Sequence, residues 1–442
     1  MKKLPVLLGL LFYGLSLFAQ EESLVEERRK VFRFGTETEI SELLKTLQEQ
    51  KDKTYIEDIV GILKGRISRR LLRRIFEYLK DMELSHLEAE AIARSLLEAP
   101  DELDAETLIT LLQFLTLEGT SPYVELVKPL VKDTRRRVAS TAVRYLGKKG
   151  SEEVVPALIE IFKSLEADEE LRTAVLLALG ELKDPSSVPF LTSILEDRDE
   201  RLVYRRFAAT ALGNIGSLEA FPSIKKALED SDNLLRAHAI SALANYQVEE
   251  VEEILLQALR DDFARLRTFA AEGLGKRKSE RATEMLIFRV RRDADRQVRL
   301  ASLRALANIG TGEAISFLKE LLLDERASSE LRLETIRLFL ALSEGKDALF
   351  SLMEQEWTKQ NSRLLDELGK GLSTQTSSGY EKFFQKMLTH PSFIIRLYSI
   401  RGIGRNKIEE FKVELEKIAK EGLSAQERKE ARLVLEQWNQ PR

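Results

Sequence analysis

The chain has no cysteine among its 442 residues. That excludes disulfides, thiolate nucleophiles, zinc–thiolate sites and a lipid anchor on a cysteine after a leader. Histidine is nearly as scarce. His86, His238 and His390 stand far apart, so no His-x-x-x-His pair of metal-ligand spacing exists. His238 occupies a column filled by Phe207 and Phe269 in neighbouring repeats, which reads as a partly buried spacer. Runs of alternating β-branched residues are few, which argues against a sheet. Charge of one sign is also missing. Lys and Arg total 69 against 73 Asp and Glu, a formal net charge of -4, so the chain is a poor general binder of nucleic acid.

Beyond the first twenty residues no run approaches the ~20 apolar residues of a membrane-spanning helix. The first residues, 1–19, carry Lys2 and Lys3, an apolar stretch from Leu4 to Phe18, and Ala19 before Gln20-Glu-Glu. This pattern reads as a secretory signal peptide cleaved after Ala19, with an uncleaved anchor as the alternative. The expectation is a periplasmic or otherwise exported chain with no transmembrane segment once mature.

A repeat occupies most of the rest. An apolar residue and an arginine are followed by a small residue and then a Leu-Gly-like pair. Copies end at Gly147, Gly180, Gly213, Ala244, Gly275, Ala307, Leu340, Ser373, Gly404 and Glu436, in steps of 31 to 33 residues. A fixed period in this range marks stacked supersecondary units. Counting back from each end as position zero, position -1 is apolar throughout and -5 is mostly small. Positions -9, -5 and -2 share one helical face, so each copy closes with a helix, B, of ten to twelve residues. Glycine at position zero suits a left-handed helix end. Upstream, Pro156, Pro189 and Pro222 recur at 33-residue steps where a first helical turn tolerates a missing N–H, marking a helix A. The fold class is all-α, an α-solenoid of helix–turn–helix repeats. Residues 20–121 read as divergent repeats that cap the array, and 122–442 as the array with a C-terminal capping helix.

Two charged columns stay in register. Position -8 holds Arg172, Arg205, Arg236, Arg267, Arg299, Arg332, Arg396 and Arg428; position -14 holds Asp133, Asp199, Asp230, Asp261 and Asp293. Their joint recurrence reads as a structural ladder between successive turns, in preference to an anion-binding row. The copy ending at Ser373 departs from the pattern, with Leu365 in place of the arginine.

On the segments Asp199…Arg205-Arg-Phe-Ala-Ala-Thr-Ala-Leu-Gly213 and Asp293-Ala-Asp…Val298-Arg-Leu-Ala-Ser-Leu-Arg-Ala-Leu-Ala307, the chain resembles the HEAT repeat family. Within that family it most resembles the short HEAT-like variety first named from phycobilisome lyases. The resemblance covers about Pro122 to Gln437. It implies an array whose B helices line a concave, protein-binding side, although some members are enzymes. The iron hydroxylase of this type carries paired His-Glu motifs, and none occurs here. A bilin lyase reading rests on the family name alone.

No catalytic, cofactor or metal site emerges. The Ser-x-x-Lys matches at Ser223–Lys226 and Ser316–Lys319 lack companion motifs. The sharpest surface feature is position -3, where Arg304, Arg337, Lys370 and Arg401 fall in four successive copies. Packed helices lie ~8–10 Å apart, so these would form a cationic stripe able to attract an acidic segment of a protein partner. The sequence thus points to an exported, non-catalytic interaction scaffold without a cofactor, its oligomeric state open. The alternatives are an enzyme or lyase-like protein with a site in the divergent N-terminal region, and an architectural protein that binds envelope glycan or lipid.

Overall fold

The computed structural model describes residues 24–164, 168–360, 362–376 and 379–438. Segment 1–19, read from the sequence as a signal peptide, lies outside them. Among the described residues there are α-helices, short 3-10 turns and no strand. The chain divides into two compact units, up to Glu229 and from Asp230.

In the first unit the A–B pairs include Val155–Lys163 with Glu169–Leu182 and Val188–Glu196 with Leu202–Ile215. Pro156 and Pro189 sit in the first turns of their A helices. Helical stacking continues upstream of Pro122. There Glu37–Gln50, Arg69–Asp81 and Ala105–Leu115 pack in series, and the last packs on Arg136–Lys149. The basic helix Arg69–Asp81 buries Leu71, Ile75 and Phe76. In the second unit the B helices Asn233–Leu243, Ala264–Lys276, Arg296–Ile309, Ser329–Ala341, Arg363–Thr374, Phe393–Asn406 and Ala425–Trp438 pack one on the next. Several start on a side-chain cap, as Asp295 and Ser328 show by accepting amides three residues on.

The glycine at position zero has a different role from the one expected. Gly147, Gly180, Gly275 and Gly404 lie inside their B helices. A Cβ on Gly147 would lie 2.7 Å from Ala178 Cα, and one on Gly275 2.7 Å from Ala305 Cα. Each of these two glycines thus faces position -2 of the following copy, and the two backbones approach too closely for any side chain. The left-handed residue comes three positions later, at Lys183, Gly216, Lys278, Gly310 and Lys407. The helix therefore runs past the Leu-Gly pair, and 13- to 14-residue B helices are common.

Candidate interaction surface

The arginine and aspartate columns meet at the A–B turns. Arg267 Nε and Nη2 donate to the two carboxylate oxygens of Asp293 at 2.8 and 2.7 Å. Its Nη1 donates to the carbonyls of Asp261 and Asp262, both at 2.9 Å. Asp293 is 1% exposed, and Arg289 adds a second cation at 3.3 Å. Burial alone would raise the Asp293 pKa. Hydrogen bonds from Arg267 and the Asp295 amide, with the charges of Arg267 and Arg289, outweigh burial and hold it below the ordinary carboxylate range. Arg236 stands 3.6 Å from Asp261.

The remaining column members make other contacts. Arg299 donates to the Asp293 and Ala294 carbonyls. Arg332 donates to the Leu322 carbonyl and lies 3.4 Å from the buried Glu356. Arg205 is buried and donates to the Leu195 carbonyl. Arg172 donates to the Ser164 carbonyl and stacks near Phe162, while its Nε is buried without a partner among the described residues. Asp230 accepts the Asp232 amide. Asp199 is exposed, and its own amide donates to Asp197.

Three of the four cations expected to form the stripe at position -3 are ion-paired. Arg304 donates to Glu334 at 2.6 Å, Arg337 to Glu367 at 2.7 Å, and Arg401 to Glu430 at 2.8 Å. Each carboxylate belongs to position -6 of the next copy, so these positions form a chain of alternating charge. Lys370 differs. It is exposed and has no ion-pair partner among the described residues, because position -6 of the following copy is Tyr398. That tyrosine donates instead to Asp366 at 3.1 Å. The signal is present in the sequence, where position -6 reads Glu334, Glu367, Tyr398 and Glu430 opposite Arg304, Arg337, Lys370 and Arg401.

The three histidines serve local structure. His86 Nδ1 accepts the Glu88 amide and caps Leu87–Leu97, with Glu57 at 3.3 Å from Nε2. His238 packs edge-on to Phe269. His390 Nδ1 accepts the Ser392 amide at 3.0 Å, and Nε2 lies 3.1 Å from the Trp357 carbonyl. Among the described residues no three His, Asp or Glu side chains converge as a metal site. No described helix is long and apolar enough to cross a membrane.

A family profile described as spirochaete HEAT repeat protein matches residues 32–434. The chain belongs to that family. As a HEAT repeat protein it also resembles deoxyhypusine hydroxylase of Candida albicans, at 28% identity over 142 residues, 32% of this chain and 44% of the enzyme. The hydroxylase of Schizosaccharomyces pombe is 34% identical over 101 residues, 23% of this chain and 31% of the enzyme. The chain thus spans less than half the length of these curated relatives. Among solved structures, yeast importin-β (Kap95p) superimposes with a TM-score of 0.52 at 14% identity, covering 92% of this chain and 66% of that one. This likeness shows the HEAT solenoid fold alone.

Proposed function

We propose that this HEAT protein is an exported, non-catalytic scaffold that binds a protein partner along its B-helix face. The observation that carries the reading is how the B helices divide their surface. One face is consumed by stacking, where glycine meets alanine and the Arg267–Asp293 pair is buried. The other presents Arg144, Arg304, Arg337 and Arg401, each about half exposed and tied to carboxylates of the B helices. Exposed pairs of this kind contribute about 0–1 kcal/mol each, so a partner's charges can replace them at little cost. The fold is shared with Kap95p, which has been solved in complex with Nup1. Repeat arrays bind through such extended faces.

An enzymatic reading has one observation in its favour, the likeness to deoxyhypusine hydroxylase. Against it, His86, His238 and His390 are far apart in sequence and engaged in capping, edge packing and turn formation.

Crosslinking of the chain in its own cell envelope, followed by mass spectrometry, separates the readings. Enrichment of one protein crosslinked to B-helix residues supports the scaffold. Stoichiometric iron in the purified protein, with crosslinks to no protein, overturns it.

A further inference from the structure

One copy departs from the arginine column on both sides of the same junction. Leu365 stands at position -8 in the copy ending at Ser373, and His390 stands at position -14 in the next. Several copies, the following one among them, send that arginine back onto the carbonyls of their own A–B turn, whereas Arg332 of the preceding copy bonds the Leu322 carbonyl instead. Arg267 bonds Asp261 and Asp262, Arg299 bonds Asp293 and Ala294, and Arg396 bonds His390 and Pro391. The equivalent carbonyls here belong to Lys359 and Gln360, and no described arginine donates to them.

His390 keeps half of the missing aspartate's role. Its Nδ1 accepts the amide two residues on, the bond that Asp261 makes to Phe263 and Asp293 to Asp295. The ring proton therefore sits on Nε2, directed at the Trp357 carbonyl, and the imidazole offers no acceptor for a guanidinium. Arginine and aspartate are both absent from this junction, and a cleft of about 830 Å³ opens between the two turns. Its walls include Trp357, Leu365, Ile394 and Ile395, with Arg363 and Asp366 beside them. The other copy without the arginine has Ala139 at -8 and also borders a cleft, of about 470 Å³. There Arg135 and Arg136 are already committed to Asp133 and Asp168. At the Leu365 cleft no described cation fills the slot in cis. Arg363 is exposed and makes no ion pair among the described residues.

We propose that the Leu365 cleft receives an arginine side chain of a partner protein, with an acidic residue beside that arginine. The proposal rests on the scaffold reading and names what its partner presents. The guanidinium completes in trans the slot that Arg267, Arg299 and Arg396 fill in cis in their own copies. It donates to the Lys359 and Gln360 carbonyls and to Asp366, which five planar N–H groups can span. Its methylene stem lies along Trp357, Leu365 and Ile395. The adjacent carboxylate pairs with Arg363.

The test is titration of the full chain with acetyl-Gly-Arg-Asp-Gly-amide, read by calorimetry and tryptophan emission. Saturable binding is expected. It should weaken at least about tenfold when citrulline replaces arginine, since charge-assisted bonds become neutral ones. Leu365→Arg, which refills the slot in cis and restores the residue most copies carry, should abolish binding, whereas Leu365→Met should keep it. Equal binding of the citrulline peptide, unchanged binding by folded Leu365→Arg, or no saturable signal would overturn the proposal. Self-association lost in Leu365→Arg would also overturn it, by assigning the arginine to a second copy. A partner found by envelope crosslinking alongside a failed peptide titration would sink this inference and leave the scaffold reading standing.

Discussion

At Asp293 one buried carboxylate answers two guanidinium groups, Arg267 and Arg289, and joins one A–B turn to the next. Removing one partner of such a pair strands the other's charge, which costs about 3–5 kcal/mol. Asp293→Ala is expected to fall in that range by urea denaturation at pH 7. The same carboxylate sets a pH dependence. Its pKa is lowered on folding, as are those of Glu90 and Glu427. The stability these groups contribute is full above the unfolded carboxylate value of about 4 and is lost as pH falls through the lower folded values. The midpoint in urea should therefore drop from pH 7 to pH 3, and Asp293→Ala should drop less over that interval. Ser302 gives the opposite case. Its hydroxyl is buried with no partner among the described residues, while Ser399 in the same column donates to the Phe384 carbonyl. Ser302→Ala should be neutral or stabilising by up to about 1 kcal/mol, and Ser399→Ala destabilising by about 1 kcal/mol. Equal losses at both sites would contradict this assignment.

At the level of the element, the B helix combines two demands that glycine meets for different reasons. Gly275 lies within the last turn of Ala264–Lys276, where a Cβ would sit 2.7 Å from a neighbouring backbone carbon; Gly310 ends its helix at φ 69°. Gly275→Ala gains helix propensity of about 1 kcal/mol, but the overlap with Ala305 requires a backbone shift costing about 1–3 kcal/mol. Net destabilisation is expected, and thermal unfolding checks it. The helical pairs are legible in the sequence because apolar spacing, first-turn prolines and a constant period agree. Glycine at position zero reads as a cap because sequence offers the same residue for a left-handed turn and for close packing. Only the position of the next helix tells them apart. The carboxylates paired along the cationic stripe escape the sequence reading for a related reason. Arg304 and Glu334 are 30 residues apart in sequence, yet packing of successive B helices brings them within 2.6 Å. The Leu365 departure is visible in the sequence, but its cleft depends on both turns.

For the molecule as a whole, contacts within each compact unit run from one copy to the next, so stability is a sum of local terms and interfaces. Gly275→Ala should lower hydrogen-exchange protection in Ala264–Lys276 and Arg296–Ile309 and leave Phe393–Asn406 unchanged. A uniform loss across all three helices would mean a single cooperative block. The central claim is that the B-helix face is the binding surface. The most direct test places a photo-crosslinking residue, one position at a time, at Ser241, Glu272, Arg337 and Lys370 on B helices and at Glu284 and Phe288 on an A helix, in the cell that makes the protein. The account predicts that one partner protein is captured from the B-helix positions and not from the A-helix positions. Capture from Glu284 and Phe288 alone, or no protein captured from any B-helix position, would contradict it.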